Sequence, residues 1–130
     1  MVSKVILDSN IWIGYFNKDD VHHKVAIVRV NSLSKQDVYV PEYVVVESLS
    51  VLKMRQSELV AKLCLDVFQH THHIHIIPSG DLFKKTITLF QTLSDKHLSF
   101  VDLSLLALSR DYTVKTFDKK LAAAIKKFNK

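Results

Sequence analysis

The chain has 130 residues, 48% hydrophobic and 24% charged, a balance that suits one globular domain over 1–130 and excludes a disordered chain. Its one cysteine, Cys64, excludes an internal disulfide, and no run approaches the roughly 18 consecutive apolar residues of a membrane span. Eighteen basic against thirteen acidic residues leave a net +5, compatible with a polyanionic partner such as nucleic acid.

Within residues 1–10, Asp8 interrupts the apolar stretch too early for a signal peptide, so a cytoplasmic protein is expected. Val5-Ile6-Leu7 reads as a short buried strand ending at Asp8. Asn10 is the expected cap of a short helix through Phe16. A second helix is expected over 21–33, with Val25, Val28 and Ser32 along one face. Val38-Tyr39-Val40 reads as the next strand, and Pro41 suits the first position of a helix reaching about Met54. The spacing of Leu59, Leu63 and Val67 predicts a helix over 57–68 with those residues on one face. A strand follows at 74–77, then a helix over 82–93, a helix from Ser99 to about Ser109, and a strand at 113–116. Asp118 is expected to cap a last helix carrying Leu121, Ile125 and Phe128 on one face. Strands alternating with helices predict an α/β fold with a mostly parallel sheet. Such sheets carry their sites beyond the carboxyl ends of the strands.

Four carboxylates fall at such places. Asp8 ends the first strand, Glu47 lies one to two turns into the helix after the second, Asp102 is in the first turn after Ser99, and Asp118 follows the fourth strand. Each has a plain structural role to weigh. Asp8 suits an Asx turn, Ser99 and Asp102 resemble a capping box, and Asp118 is a good N-cap. Glu47 differs, because Val44 and Val51 flank it on its own helix face, where a carboxylate is costly unless paired or metal-bound. A parallel sheet would draw all four to one edge. Two carboxylates about 4 Å apart repel by roughly 4 kcal/mol at an effective dielectric near 20. Such a cluster calls for protonation or for a hard divalent cation, Mg²⁺ or Mn²⁺, which can activate water for phosphoryl displacement.

The motifs resemble those of PIN-domain nucleases. Val5-Ile6-Leu7-Asp8-Ser9-Asn10 resembles the family's opening strand and Asp-x-Asn motif. Val40-Pro41-Glu42-Tyr43-Val44-Val45-Val46-Glu47 resembles its second motif. Leu98-Ser99-Phe100-Val101-Asp102 is similar to its Ser-x-x-Asp, and Thr116-Phe117-Asp118 to its final Thr-x-Asp. The four occur in order over essentially the whole chain, and the size and the Asp19-Asp20-Val21-His22-His23 segment resemble VapC-type toxins. The resemblance implies a three-layer α/β/α fold with a short parallel central sheet and metal-dependent endonucleolytic cleavage of RNA. It implies that Asp8, Glu47, Asp102 and Asp118 hold Mg²⁺ or Mn²⁺, with Asn10, Ser99 and Thr116 as supporting polar residues. It further implies a type II toxin, a homodimer and a cognate antitoxin laid across the groove. Some relatives carry a further acid after the last aspartate, where this chain has Lys119 and Lys120. These two are the expected RNA contacts.

Two other readings stay open: a PIN nuclease of RNA maturation or decay with no antitoxin, and a non-catalytic RNA- or protein-binding module. A phosphoacceptor domain would need an acidic pair after the first strand, where Ser9-Asn10 stands. The histidines of His70-Thr71-His72-His73-Ile74-His75 are expected at a solvated helix end and strand edge, and His22 and His23 at a helix start. Ile11 and Ile13 are expected in the core, and Trp12 or Tyr15 in the core or at a partner interface.

Overall fold

Three apolar residues suffice for the central strand of this protein, because both faces of that strand are covered. The computed structural model describes residues 4–130; the part of the 1–10 reading that precedes Lys4 lies outside the described residues. The elements run β1 (Val5–Leu7), α1 (Ser9–Phe16), α2 (His23–Asn31), β2 (Val38–Pro41), α3 (Glu42–Arg55), α4 (Glu58–His70), β3 (Ile74–Ile77), α5 (Gly80–Thr92), α6 (Phe100–Leu108), β4 (Thr113–Lys115) and α7 (Lys119–Phe128). The alternation of strand and helix read from the sequence is the alternation found. Helices on both sides of the sheet make a three-layer α/β/α fold.

All strand pairs are parallel, in the order β3-β2-β1-β4. Val5 pairs with Val38 on one side and Thr113 on the other, and Leu7 with Lys115. The chain builds outward from β1 through β2 to β3, then returns to place β4 on the opposite side. The reversal falls between β1 and β4, where parallel sheets open a crevice at their carboxyl ends. It puts Asp8, just after β1, beside the residues that follow β4. β3 is an edge strand and carries His75 at the margin of the sheet, where its Nε2 lies 2.8 Å from Asp37 Oδ1; His70 ends α4, and His72 and His73 lie in the turn between.

Two helix faces differ from expectation. Helix α2 turns Ala26 inward and leaves Val25 and Val28 exposed. It crosses α1 at Gly14, where a β-carbon on that glycine would lie only 3.2 Å from Ala26 Cβ, and His23 Nδ1 stands 2.7 Å from the Gly14 carbonyl oxygen. Close approach favours small residues, and this overrides the larger valines. Helix α4 buries Ala61, Cys64 and Phe68, while Leu59 is 68% and Leu63 53% exposed. The rotation follows from Trp12, which is 1% exposed and meets the Phe68 ring edge-on at 5.0 Å. Trp12 therefore belongs to the core, not to a partner surface. Ile11 and Ile13 are buried as expected, and on α7 Leu121 is buried with Ile125 packed against the core. No helix among the described residues is long and apolar enough to cross a membrane.

Candidate active site

Asp8 is the most buried of the four carboxylates, at 4% exposure. Asn10, expected as the cap of α1, lies inside the helix. Asp8 is the N-cap, and its Oδ1 accepts the Ser9 N–H at 2.7 Å. Its other oxygen, Oδ2, accepts the Thr116 hydroxyl at 2.7 Å. The Thr116 oxygen in turn accepts the Asn10 side-chain amide and the Asp118 backbone N–H, each at 3.0 Å. Asn10 Oδ1 accepts the Phe117 N–H at 3.2 Å. One threonine hydroxyl thus ties the end of β1, the start of α1 and the segment after β4 into a single network.

Burial, the largest cause, pushes the Asp8 carboxyl up to about 6. The hydrogen bonds from Thr116 and Ser9 oppose the rise; the negative charges of Asp102 and Glu47 add to it. Those two charges therefore lie within electrostatic reach of Asp8. Glu47, on α3, accepts the Ser9 hydroxyl through Oε1. Sequence reasoning misses Ser9 as a functional residue. The signal that could have found it is its place between Asp8 and Asn10, two residues of one motif.

The helix-capping roles are realised for three of the four acids. Ser99 and Asp102 form a reciprocal capping box, with Ser99 N donating to Asp102 Oδ2 at 2.9 Å and Asp102 N to Ser99 Oγ at 3.1 Å. Asp118 Oδ1 caps α7 by accepting the Lys120 and Leu121 N–H groups. In Asp102 and Asp118 capping uses one oxygen and leaves the other. Among the described residues, Glu47 Oε2, Asp102 Oδ1 and Asp118 Oδ2 have no protein donor, and none of the four carboxylates has an ion-pair partner. Lys119 and Lys120 are exposed in the first turn of α7, with Lys120 Nζ 3.4 Å from His97 Nδ1.

No three His, Cys, Asp or Glu side chains among the described residues stand close enough to enclose a metal ion. Glu47 and Asp102 act on Asp8 through their charge, and Asp118 is tied to it through its backbone bond to Thr116, so these hard oxygen donors border Asp8 as an open rim without enclosing a site. Magnesium commonly binds through one or two carboxylates while keeping several waters. Uncompensated, partly buried carboxylates around Asp8 fit that mode.

The fold and this rim define a three-layer α/β/α domain with an acidic site at the carboxyl edge of a parallel sheet. Residues 5–127 match the family model described as PIN domain, and the chain belongs to the PIN domain family. Among solved structures it is similar to VapC20 of Mycobacterium tuberculosis, a sarcin-ricin loop cleaving toxin. That likeness has a TM-score of 0.81 and 19% identity, over 92% of this chain and 94% of that one. It is also similar to VapBC2 from Rickettsia felis bound to a DNA fragment from their promoter, with a TM-score of 0.52 and 13% identity, over 88% of this chain and 99% of that one. At these identities the likeness shows the fold. No curated protein matches the sequence at a significant level.

Proposed function

We propose that this chain, as one domain, is a metal-dependent endoribonuclease and the toxin of a type II toxin–antitoxin pair. The observation that carries the reading is the rim itself: buried Asp8, with Glu47 and Asp102 raising its proton affinity and, among the described residues, no basic side chain paired to any of them. Evolution of a stable fold alone gives no reason to gather charge in this way, since each acid raises the free energy of its neighbours. Membership of the PIN domain family and the fold shared with a toxin that cleaves the sarcin-ricin loop support the same conclusion.

In this reading Asp8, Glu47, Asp102 and Asp118 hold Mg²⁺ or Mn²⁺. The bound ion supplies charge neutralisation and a water of lowered pKa for attack on a phosphodiester. Thr116 orients Asp8 and Asn10 orients Thr116, while Ser99 orients Asp102 and Ser9 orients Glu47. Lys119 and Lys120 lie where cations would offset repulsion between the rim and RNA. Partners follow from the same reading: a second copy of the chain and an antitoxin. Val21, Val25 and Val28 around α2, and Met54, Leu59 and Leu63 on α3 and α4, leave apolar side chains for such partners to cover. The setting is the cytoplasm.

The test is cleavage of a panel of structured RNAs by wild type, Asp8→Asn and Asp102→Asn, with Mg²⁺, with Mn²⁺ and with chelator. Expected is cutting by wild type that needs the divalent ion and falls at least a hundredfold in both variants. No cutting of any RNA, together with no stabilisation of the wild type by either ion, would overturn the reading in favour of a binding module whose acids are helix caps.

A further inference from the structure

On one flank of the acidic rim the surface changes sign. Phe117, between Thr116 and Asp118, is flanked by two residues of the α2 region seven positions apart. The His22 ring centre lies 4.7 Å from that of Phe117 at a 33° tilt, and the Arg29 guanidinium carbon lies 5.8 Å from the Phe117 ring centre. Arg29 also lines a groove of about 500 Å³ between α2 and β4. Val5 and Leu7 form its floor, and Thr113 and Lys115 its far side. These strand residues share a face because Val5 pairs with Thr113 and Leu7 with Lys115. β4 is an edge strand, and among the described residues no further strand lies beyond it. Apart from the Phe117 ring, neither the Arg29 nor the Lys115 side chain has an ion-pair or hydrogen-bond partner among the described residues.

We propose that this groove, headed by the stack of His22, Phe117 and Arg29, holds the RNA backbone on one side of the scissile phosphate, with Arg29 and Lys115 as its phosphate-binding cations. The inference rests on the nuclease reading above. A polyanion approaching four carboxylates is repelled unless cations border them. Arg29 and Lys115 provide that border on the β4 side of Asp118, opposite in chain direction to Lys119 and Lys120. The Phe117 ring holds the planar guanidinium in place, and that fork matches phosphate oxygens two at a time. Neither residue is needed to reach the rim, so both act on substrate binding and not on the bond-breaking step.

Steady-state cleavage of a single-stranded RNA oligonucleotide in Mg²⁺, over a salt series, tests this with Arg29→Gln, Lys115→Gln, the double variant, and Lys53→Gln on α3 as a control. The double variant is expected to raise KM at least tenfold with kcat held. The slope of log KM against log salt should fall by about 1.4, at roughly 0.7 for each phosphate no longer neutralised. Lys53→Gln should change neither. If wild type cuts and the double variant matches it, or Lys53→Gln shifts KM equally, the groove has no special role and the nuclease reading stands. If the groove variants keep wild-type KM yet lose binding of a polyglutamate peptide, the groove belongs to an acidic protein partner and the inference falls. If wild type neither binds nor cuts any RNA, the nuclease reading itself has failed.

Discussion

At the level of single residues, Asp8 is where burial of a charge works against stability. Its carboxyl is held up near 6 against an ordinary 3.8, so the native state binds this proton more tightly than the unfolded state. The favourable contribution is therefore fully present below about pH 4 and is lost as pH rises through about 6. The loss amounts to about 3 kcal/mol at neutral pH in the absence of a cation. Asp8→Asn removes that charge. The amide keeps one acceptor oxygen, so one of the bonds from Ser9 and Thr116 is given up at about 1 kcal/mol. Urea unfolding at pH 7 in chelator should show the variant more stable than wild type by about 1–2 kcal/mol, with the difference shrinking or reversing at pH 4. A variant less stable than wild type at pH 7 would show that the charge is already compensated by the protein. Thr116 makes the complementary case. Thr116→Val leaves Asn10 and Asp118 N–H donors without their acceptor, and cleavage should fall about 10–100-fold. Thr116→Ser, which restores the hydroxyl, should recover most of it.

Among the helices, α4 offers the clearest check on packing. Its sequence presents two apolar faces, Leu59-Leu63-Val67 and Ala61-Cys64-Phe68, and periodicity alone does not rank them. The fold selects the second because Phe68 closes on Trp12. Phe68→Ala should cost about 3–5 kcal/mol in urea unfolding, whereas Leu63→Gln should stay within about 0.5 kcal/mol. Equal losses would place Leu63 in the core. The same helix keeps Cys64 buried, and burial pushes its thiol up to about 12. Alkylating agents should therefore label it only after unfolding. Helix α6 carries a different constraint, since the acid that stabilises its first turn is one proposed to bind metal. Both uses are compatible because the capping box engages Oδ2 and leaves Oδ1 free.

At the scale of the whole molecule, the strand order decides what can act together. β1 is flanked by β2 and β4, and this brings Asp8 into hydrogen-bond contact with Thr116 across 108 positions of sequence. In the proposed reading the four acids come from four segments that meet only in the folded chain, so metal binding should be linked to folding. Millimolar Mg²⁺ should raise the melting temperature of wild type. At a free ion concentration of about 100 times Kd the stabilisation is about 2.7 kcal/mol. Asp8→Asn should lose most of this response, and an equal response in both proteins would place the ion elsewhere.

The order of the elements, the parallel α/β class and the places of the four acids relative to those elements are all legible in the amino-acid sequence. These are local properties: short apolar runs, caps, and acids placed at strand ends or helix starts. The α2 and α4 faces are not legible there, because Val28 and Ala26, or Leu63 and Cys64, are equally apolar to a periodicity argument. Nor is Ser9, whose role depends on Glu47, 38 positions away. The bridging of Asp8, Asn10 and Asp118 by Thr116, and the seating of Arg29 against Phe117, belong to the folded chain alone. The physical reason is the same throughout. Capping and periodicity act within one turn of chain, whereas burial, close approach at Gly14 and the sharing of one hydroxyl by several donors require segments that meet only when the sheet closes.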